Sequence, residues 1–217
     1  MTRFKTVLGL VAACAISGVA SQAMASSIIA DGNFDNPLFA GSFVTVNAGS
    51  SFGAGNAWTV TSGSVDLIGD YWQSPTGVGG SVDLDGNSPG AIAQTFSAPA
   101  GSYRLTFDLS GNPDGGPSTK TVLVSAGSAS QAFTYTIGAN SHGSMNYTPE
   151  TLDFTLPGAG GTLTFTSLDE GSPYGAAIGN VSVVAVPEPA TWGMMVVGLF
   201  GLGAVLRSNR RAAVLSA

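Results

Sequence analysis

An all-β sandwich of jelly-roll type is the fold class this chain predicts, and three observations carry it. Short runs rich in Val, Thr, Phe and Tyr recur along residues 26–186. Turn signals separate them, and no segment between the two ends of the chain shows a helical period with caps. In the clearest run, Tyr103, Leu105, Phe107 and Leu109 alternate with Arg104, Thr106 and Asp108, a period of two that puts one set on each face of a strand.

In chain order, strands are expected over residues 43–46, 57–61, 64–68, 81–84 and 91–96, then over 103–109. Four more follow at 119–126, 131–137, 148–156 and 161–168, and residues 176–184 close the domain. Trp58 lies within an alternating stretch and reads as core. Breaks between the later runs fall at Gly111-Asn112-Pro113-Asp114-Gly115-Gly116-Pro117, Gly127-Ser128, Gly138-Ala139-Asn140 and Pro157-Gly158. No internal repeat and no linker divides the region, so residues 26–186 make one domain of comfortable size.

The charge of that region narrows its partners. Arg104 and Lys120 are its only basic side chains against twelve carboxylates, a net charge of −10 where the whole chain carries −6. A surface this acidic repels phosphate backbones, which argues against nucleic acid. It also argues against anionic lipid or acidic polysaccharide unless a cation bridges the two.

The ends carry addressing signals. Arg3 and Lys5 precede an almost wholly apolar or small stretch, and Ala23-Met24-Ala25 supplies the small-x-small pattern of a cleavage site. Residues 1–25 therefore read as a signal peptide handled by the Sec machinery and cut by signal peptidase after Ala25. A rival reading takes Val11-Ala12-Ala13-Cys14 as a lipoprotein signal with Cys14 lipidated. If Cys14 is removed, the mature chain has no thiol and no disulfide.

At the other end, Val186-Pro187-Glu188-Pro189 leads into an apolar run that stops at Arg207, Arg210 and Arg211. The run spans about 17 residues, roughly 25 Å as helix against a hydrocarbon core of about 30 Å, so it is a marginal span. Its arginines stay cytoplasmic by the positive-inside rule. This order over residues 187–217 resembles the PEP-CTERM sorting signal, with Pro187, Glu188 and Pro189 as its motif, an apolar transmembrane helix and a basic end. The resemblance implies export across the inner membrane of a Gram-negative bacterium, transient residence there, processing by an exosortase, and a mature form at the cell surface or outside the cell.

A second resemblance spans the domain. Trp58-Thr59-Val60-Thr61-Ser62-Gly63-Ser64-Val65-Asp66, Tyr71-Trp72, Ser88-Pro89-Gly90-Ala91-Ile92-Ala93-Gln94-Thr95-Phe96, Phe107-Asp108-Leu109-Ser110-Gly111-Asn112-Pro113-Asp114 and Ile178-Gly179-Asn180-Val181-Ser182-Val183 look like the choice-of-anchor C surface family. That family is similar to galactose-binding-like jelly rolls, which implies this fold and glycan binding. Its closing strand often carries an acid before Asn that helps to hold structural calcium. This chain has Gly179 there. Asp31 and Asp35 remain as ligands for such an ion, the one cofactor expected.

The chemistry motifs are weighed residue by residue. Gly49-Ser50-Ser51-Phe52-Gly53 spells a nucleophile elbow, but no helix follows and His142 is the only histidine, so catalysis there is discounted. His142 itself sits in a loop composition and reads as solvated. Asp83-Leu84-Asp85-Gly86-Asn87 imitates the start of an EF-hand, yet Ser88 and Gln94 replace the required Gly and Glu. It reads as a hairpin turn at Asp85-Gly86, with a looser calcium site at Asp83 and Asp85 as the alternative. Glu150 and Glu170 sit in no hydrolase signature.

Tyr71-Trp72, flanked by Asp70 and Gln73, is the expected ligand site, because sugar rings stack on flat aromatics while acids and amides take their hydroxyls. Adjacent strand residues face opposite ways, so at most one of the two aromatics lies inside. Whether Trp72 packs as core is left open. The expected role is non-catalytic binding of carbohydrate or exopolysaccharide. Two alternatives stand beside it: a structural biofilm-matrix protein without a ligand site, and a carbohydrate-active hydrolase with two facing carboxylates.

Overall fold

The computed structural model describes residues 26–36, 40–187 and 196–200. Twelve strands run β1 (Phe43–Asn47), β2 (Ser51–Phe52), β3 (Trp58–Ser62), β4 (Ser64–Ile68), β5 (Ser81–Asp83), β6 (Ala91–Phe96), β7 (Gly101–Gly111), β8 (Thr119–Ala126), β9 (Ala129–Thr136), β10 (Thr148–Leu156), β11 (Gly161–Ser167) and β12 (Ala176–Ala185). They form two six-stranded sheets, ordered β1-β4-β5-β12-β7-β10 and β2-β3-β6-β11-β8-β9. Every pairing is antiparallel. The chain crosses repeatedly from one sheet to the other, as expected of an all-β sandwich.

The period of two does what it predicts. Tyr103, Leu105, Phe107 and Leu109 of β7 are buried while Arg104 and Thr106 face solvent. Trp58 is fully buried and meets the Phe165 ring at 6.2 Å, and Phe107 lies edge-on to both Phe165 and Phe133 at 5.2 Å. These rings fill the space between the sheets, where each contributes well over the burial of an aliphatic side chain.

The segment after residue 26 straps the sandwich. Ile28 donates its N–H to the Val183 carbonyl, and the Gln94 side-chain amide clamps Ala30 through both its N–H and its carbonyl. Gly32 is obligatory here, because a Cβ would overlap the Val181 carbonyl that passes against it.

Three local expectations need correction. The stretch read as a possible elbow contains a two-residue strand, β2, followed by a short 3₁₀ turn at Ala54–Asn56. Asp85-Gly86 is not a hairpin turn: β5 and β6 belong to different sheets, and the link is a tight loop closed by an Asp85–Pro89 bridge. The expected C-terminal transmembrane helix is not seen. Residues 196–200 are helical, but among the described residues no helix is long and apolar enough to cross a membrane. The rest of that run, with Glu188, Pro189, Arg207, Arg210 and Arg211, lies outside the described residues, as do Cys14, Ala23 and Ala25.

Candidate functional site

The outer face of the first sheet carries an unusual polar row. Thr45, Asp66 and Asp83 are direct cross-strand partners on β1, β4 and β5, and Asp83 is opposite Ala177 on β12. Side chains directly opposite in a ladder share a face with Cβ atoms about 5 Å apart, so two carboxyl groups lie side by side. The β4–β5 loop, residues 69–80, folds back over this face. Its Gly79, at φ +84, passes so close to Asn33 that a Cβ would meet the Asn33 carbonyl at 2.9 Å.

That loop delivers Tyr71 and Trp72, and their fates differ. Trp72 is 4% exposed, packed with Ile68, Met145 and Ala177, and its indole N–H donates to the Ser81 hydroxyl at 2.8 Å. It is a packing residue that anchors the loop, while Tyr71 stays partly open. The Tyr71 hydroxyl donates to Asp114 Oδ2 at 2.8 Å, and Asp114 Oδ1 lies 2.7 Å from His142 Nε2. The His142 ring sits 4.4 Å from the Tyr71 ring, and Phe43 meets Tyr71 edge-on at 5.3 Å.

Phe43, Tyr71, Trp72 and Asp114 help to wall a cleft of about 180 Å³, while His142 braces Tyr71 and Asp114 from outside its lining. Phe43, Tyr71 and Tyr174 are its aromatic faces. Asp66, Asp83 and Asp114 are its carboxyl groups, and Asn87 and Asn112 its amides. Phe43 is 45% exposed, a large apolar ring left in water at the cleft mouth. Asp70 and Gln73 are exposed and do not line it; Gln73 instead braces the loop, its N–H donating to the His142 carbonyl.

A buried ionic cluster holds the far rim. The Lys120 ammonium is fully enclosed and donates to the carbonyls of Gly115 (2.9 Å) and Tyr174, tying the β7–β8 loop to the β11–β12 loop. Burial lowers its pKa, and Asp169, Asp83 and Asp85 pull it back up. Asp83 accepts from the Asp85 and Gly175 N–H groups on Oδ1 and from the Asn112 amide on Oδ2. Loss of solvent nevertheless pushes its pKa up to about 8, so this carboxyl is protonated over much of the neutral range. Burial pushes Asp85 up to about 6, and neither of its oxygens has a hydrogen-bond partner.

The other expected sites fall elsewhere. Asp31 is spent on structure: Oδ1 accepts from the Asp35 and Asn36 N–H groups and Oδ2 from that of Ala54. Asp35 is exposed, and among the described residues no three or more His, Cys, Asp or Glu side chains are placed to hold a metal ion. Ser51 of the elbow sequence bonds to Thr59 across the β2–β3 ladder, away from His142, which is bonded to Asp114 instead. His142, Asp114, Phe43, Asn112 and Tyr174 were missed as site residues. Phe43 opens β1, Asn112 and Asp114 share the β7–β8 loop, and His142 and Tyr174 lie on two further loops, so no local pattern joins them; Asn112 and Asp114 read as turn formers and His142 as a solvated loop residue.

Residues 185–211 match the family model described as the PEP-CTERM protein-sorting motif. The chain carries a PEP-CTERM sorting motif. The PEP-CTERM segment starts at the end of β12, with the Val186 N–H still donating to the Ser102 carbonyl. Halomucin of Haloquadratum walsbyi (strain DSM 16790 / HBSQ001) is 35% identical over 185 residues, covering 80% of this chain. The chain spans only 2% of halomucin's length.

Among solved structures, TmCBM61 in complex with β-1,4-galactotriose is similar at a TM-score of 0.43 and 10% identity, over 74% of this chain and 99% of that one. A family 35 carbohydrate-binding module from Clostridium thermocellum is similar at 0.41 and 13%, over 67% and 100%. Likenesses this distant say nothing of ligand or activity here.

Proposed function

We propose that this is an exported surface protein of a Gram-negative bacterium, sorted by an exosortase through its PEP-CTERM tail, whose galactose-binding-like jelly roll binds a glycan in the Phe43–Tyr71–Tyr174 cleft without cleaving it. The observation that carries the reading is Tyr71. Its ring is partly open, braced by Phe43 and His142, and fixed by a hydrogen bond to Asp114, beside acids and amides that accept and donate to hydroxyls. An aromatic held this way loses little freedom when a sugar stacks on it, which favours binding.

The test is binding of the protein to a panel of oligosaccharides, comparing wild type with Tyr71→Ala and Tyr71→Phe. The alanine variant is expected to lose binding by at least about tenfold. The phenylalanine variant keeps the ring and is expected to lose a few-fold, the worth of about one hydrogen bond. Unchanged binding in Tyr71→Ala would remove the site. No binding to any glycan by a folded protein would favour the structural matrix role.

The hydrolase alternative draws on the neighbouring Asp66 and Asp83, one of them with a strongly raised pKa, in one cleft. Against it, the Asp83 side chain is wholly buried and both its oxygens are committed to three protein donors, so its proton has no path to a glycosidic oxygen. Appearance of new reducing ends in a bound oligosaccharide would reverse that conclusion.

A further inference from the structure

The domain's cations are all accounted for away from the cleft. Lys120 is enclosed beneath the rim, and Arg104 is engaged with Asp153 through two bonds of 2.7 and 2.8 Å, near the end of the sheet where the tail departs. Residues 26–186 contain no other Lys or Arg. An anionic sugar therefore meets no free Lys or Arg on this surface, and the imidazole of His142 is engaged with Asp114.

Within the cleft the bias is sharper. Three of its side-chain donors are already spent on its own carboxylates, Thr45 on Asp66 Oδ1 (2.6 Å), Tyr71 on Asp114 and Asn112 on Asp83, which leaves the Asn87 amide and the Tyr174 hydroxyl to donate to a ligand. Asp66 Oδ2 has no hydrogen-bond partner among the described residues, and both Asp114 oxygens keep a lone pair beyond the one each has engaged. What the cleft offers a ligand is weighted toward acceptors, with the Asp66 and Asp114 carboxylates set against aromatic faces. Hydroxyls fit such a site in part, because they donate but also need donors. An ammonium group fits fully, since it only donates and is attracted by both carboxylate and ring face. A metal ion is the poorer match, because the described acids do not converge to hold one.

Building on the glycan reading above, we infer that the ligand class is a cationic amino sugar: a polysaccharide whose hexosamine units have lost their acetyl groups, with the ammonium seated between Asp66, Asp114 and the Tyr71 ring. The net charge of −10 on the domain adds long-range attraction for such a polymer.

The experiment is titration calorimetry of the full chain, held in a zwitterionic detergent that carries no sugar, at mildly acidic pH. Four oligomers of matched length are compared: glucosamine, N-acetylglucosamine, a neutral hexose and a uronic acid. The glucosamine oligomer is expected to bind about tenfold tighter than its acetylated twin, the combined effect of one ion pair and one cation–π contact. Its affinity should fall with added salt, and the advantage should vanish in Asp66→Asn and in Asp114→Asn. The acetylated twin keeps the test independent of whether either variant folds.

Equal or tighter binding of the acetylated or neutral oligomer overturns the inference and leaves the glycan reading standing. Oligolysine binding as well as the glucosamine oligomer also overturns it, since the attraction would then be that of any polycation. If no oligomer binds, both readings fall.

Discussion

Asp85→Asn should gain stability on the wild type as pH rises from acid to neutral. Asp85 is fully buried, and neither carboxyl oxygen meets a donor at hydrogen-bond geometry, although the nearby Ser167 hydroxyl and the Gly90 backbone lower its pKa in part. Burial raises it from 3.8 to about 6 all the same, with the Asp169 charge adding to the rise and the Lys120 charge opposing it. Below pH 3.8 the group is protonated whether the chain is folded or not, so its charge contributes nothing.

Between 3.8 and about 6 the unfolded chain has released a proton that the folded chain keeps. Stability therefore falls as pH rises, by about 1.4 kcal/mol per unit, and levels off above the folded pKa. Two units give about 3 kcal/mol, and screening by solvent over the thin loop cover trims this to about 2. Asparagine has the same shape and never ionises. Its amide needs acceptors, a cost of about 1–2 kcal/mol that is the same at every pH. The observable is the change with pH: urea unfolding of both proteins from about pH 4 to about pH 7 should show the variant gaining about 2 kcal/mol on the wild type. Asp83, Asp169 and Lys120 titrate in both proteins and largely cancel. Parallel stability curves would show that Asp85 is not held as a buried carboxyl.

Two further substitutions test the frame of the cleft. Trp72→Ala removes a 4%-exposed indole from the cluster that pins the β4–β5 loop and should cost about 3–5 kcal/mol in thermal or urea unfolding. A loss under about 1 kcal/mol would mean that the loop is not anchored there. Gly63→Ala, at the φ +55 turn joining the two sheets, would drive a Cβ into the Pro89 carbonyl and should cost at least about 2 kcal/mol by chemical denaturation.

The strands were legible because burial on one face writes itself as alternation, and long strands such as β7 and β10 give that signal room. A two-residue strand such as β2 has no period to read. The Asp85-Gly86 pair carries a good hairpin composition, but composition does not say that the strands on either side belong to different sheets.

Part of the site was visible as Tyr71-Trp72, but the pair lies on the β4–β5 loop and not on a strand, so strand parity does not decide which of them packs inside. Which one depends on the Ser81 hydroxyl waiting beneath the loop, a tertiary fact. His142 and Asp114 escaped for the same reason. They are 28 residues apart, and Asp114 is 43 residues from Tyr71, so nothing local couples them. Lys120 shares the buried parity of β8 with Val122 and Val124, so the period of two points it inward, and its ammonium is satisfied there only because two loops close over it.

The cleft and the tail leave the sheet at opposite poles of β12. Ala177 lies opposite the Asp83 of the cleft, and the strand ends eight residues later at Ala185, roughly 25 Å away at about 3.3 Å per residue. β12 is an interior strand, bonded to β5 on one side and β7 on the other. A pull between the ligand site proposed at Tyr71 and an attachment beyond Pro187 would therefore run along the strands and load both ladders in shear. Their bonds would then have to fail many at once and not one after another from an end, the geometry in which a sheet resists force best.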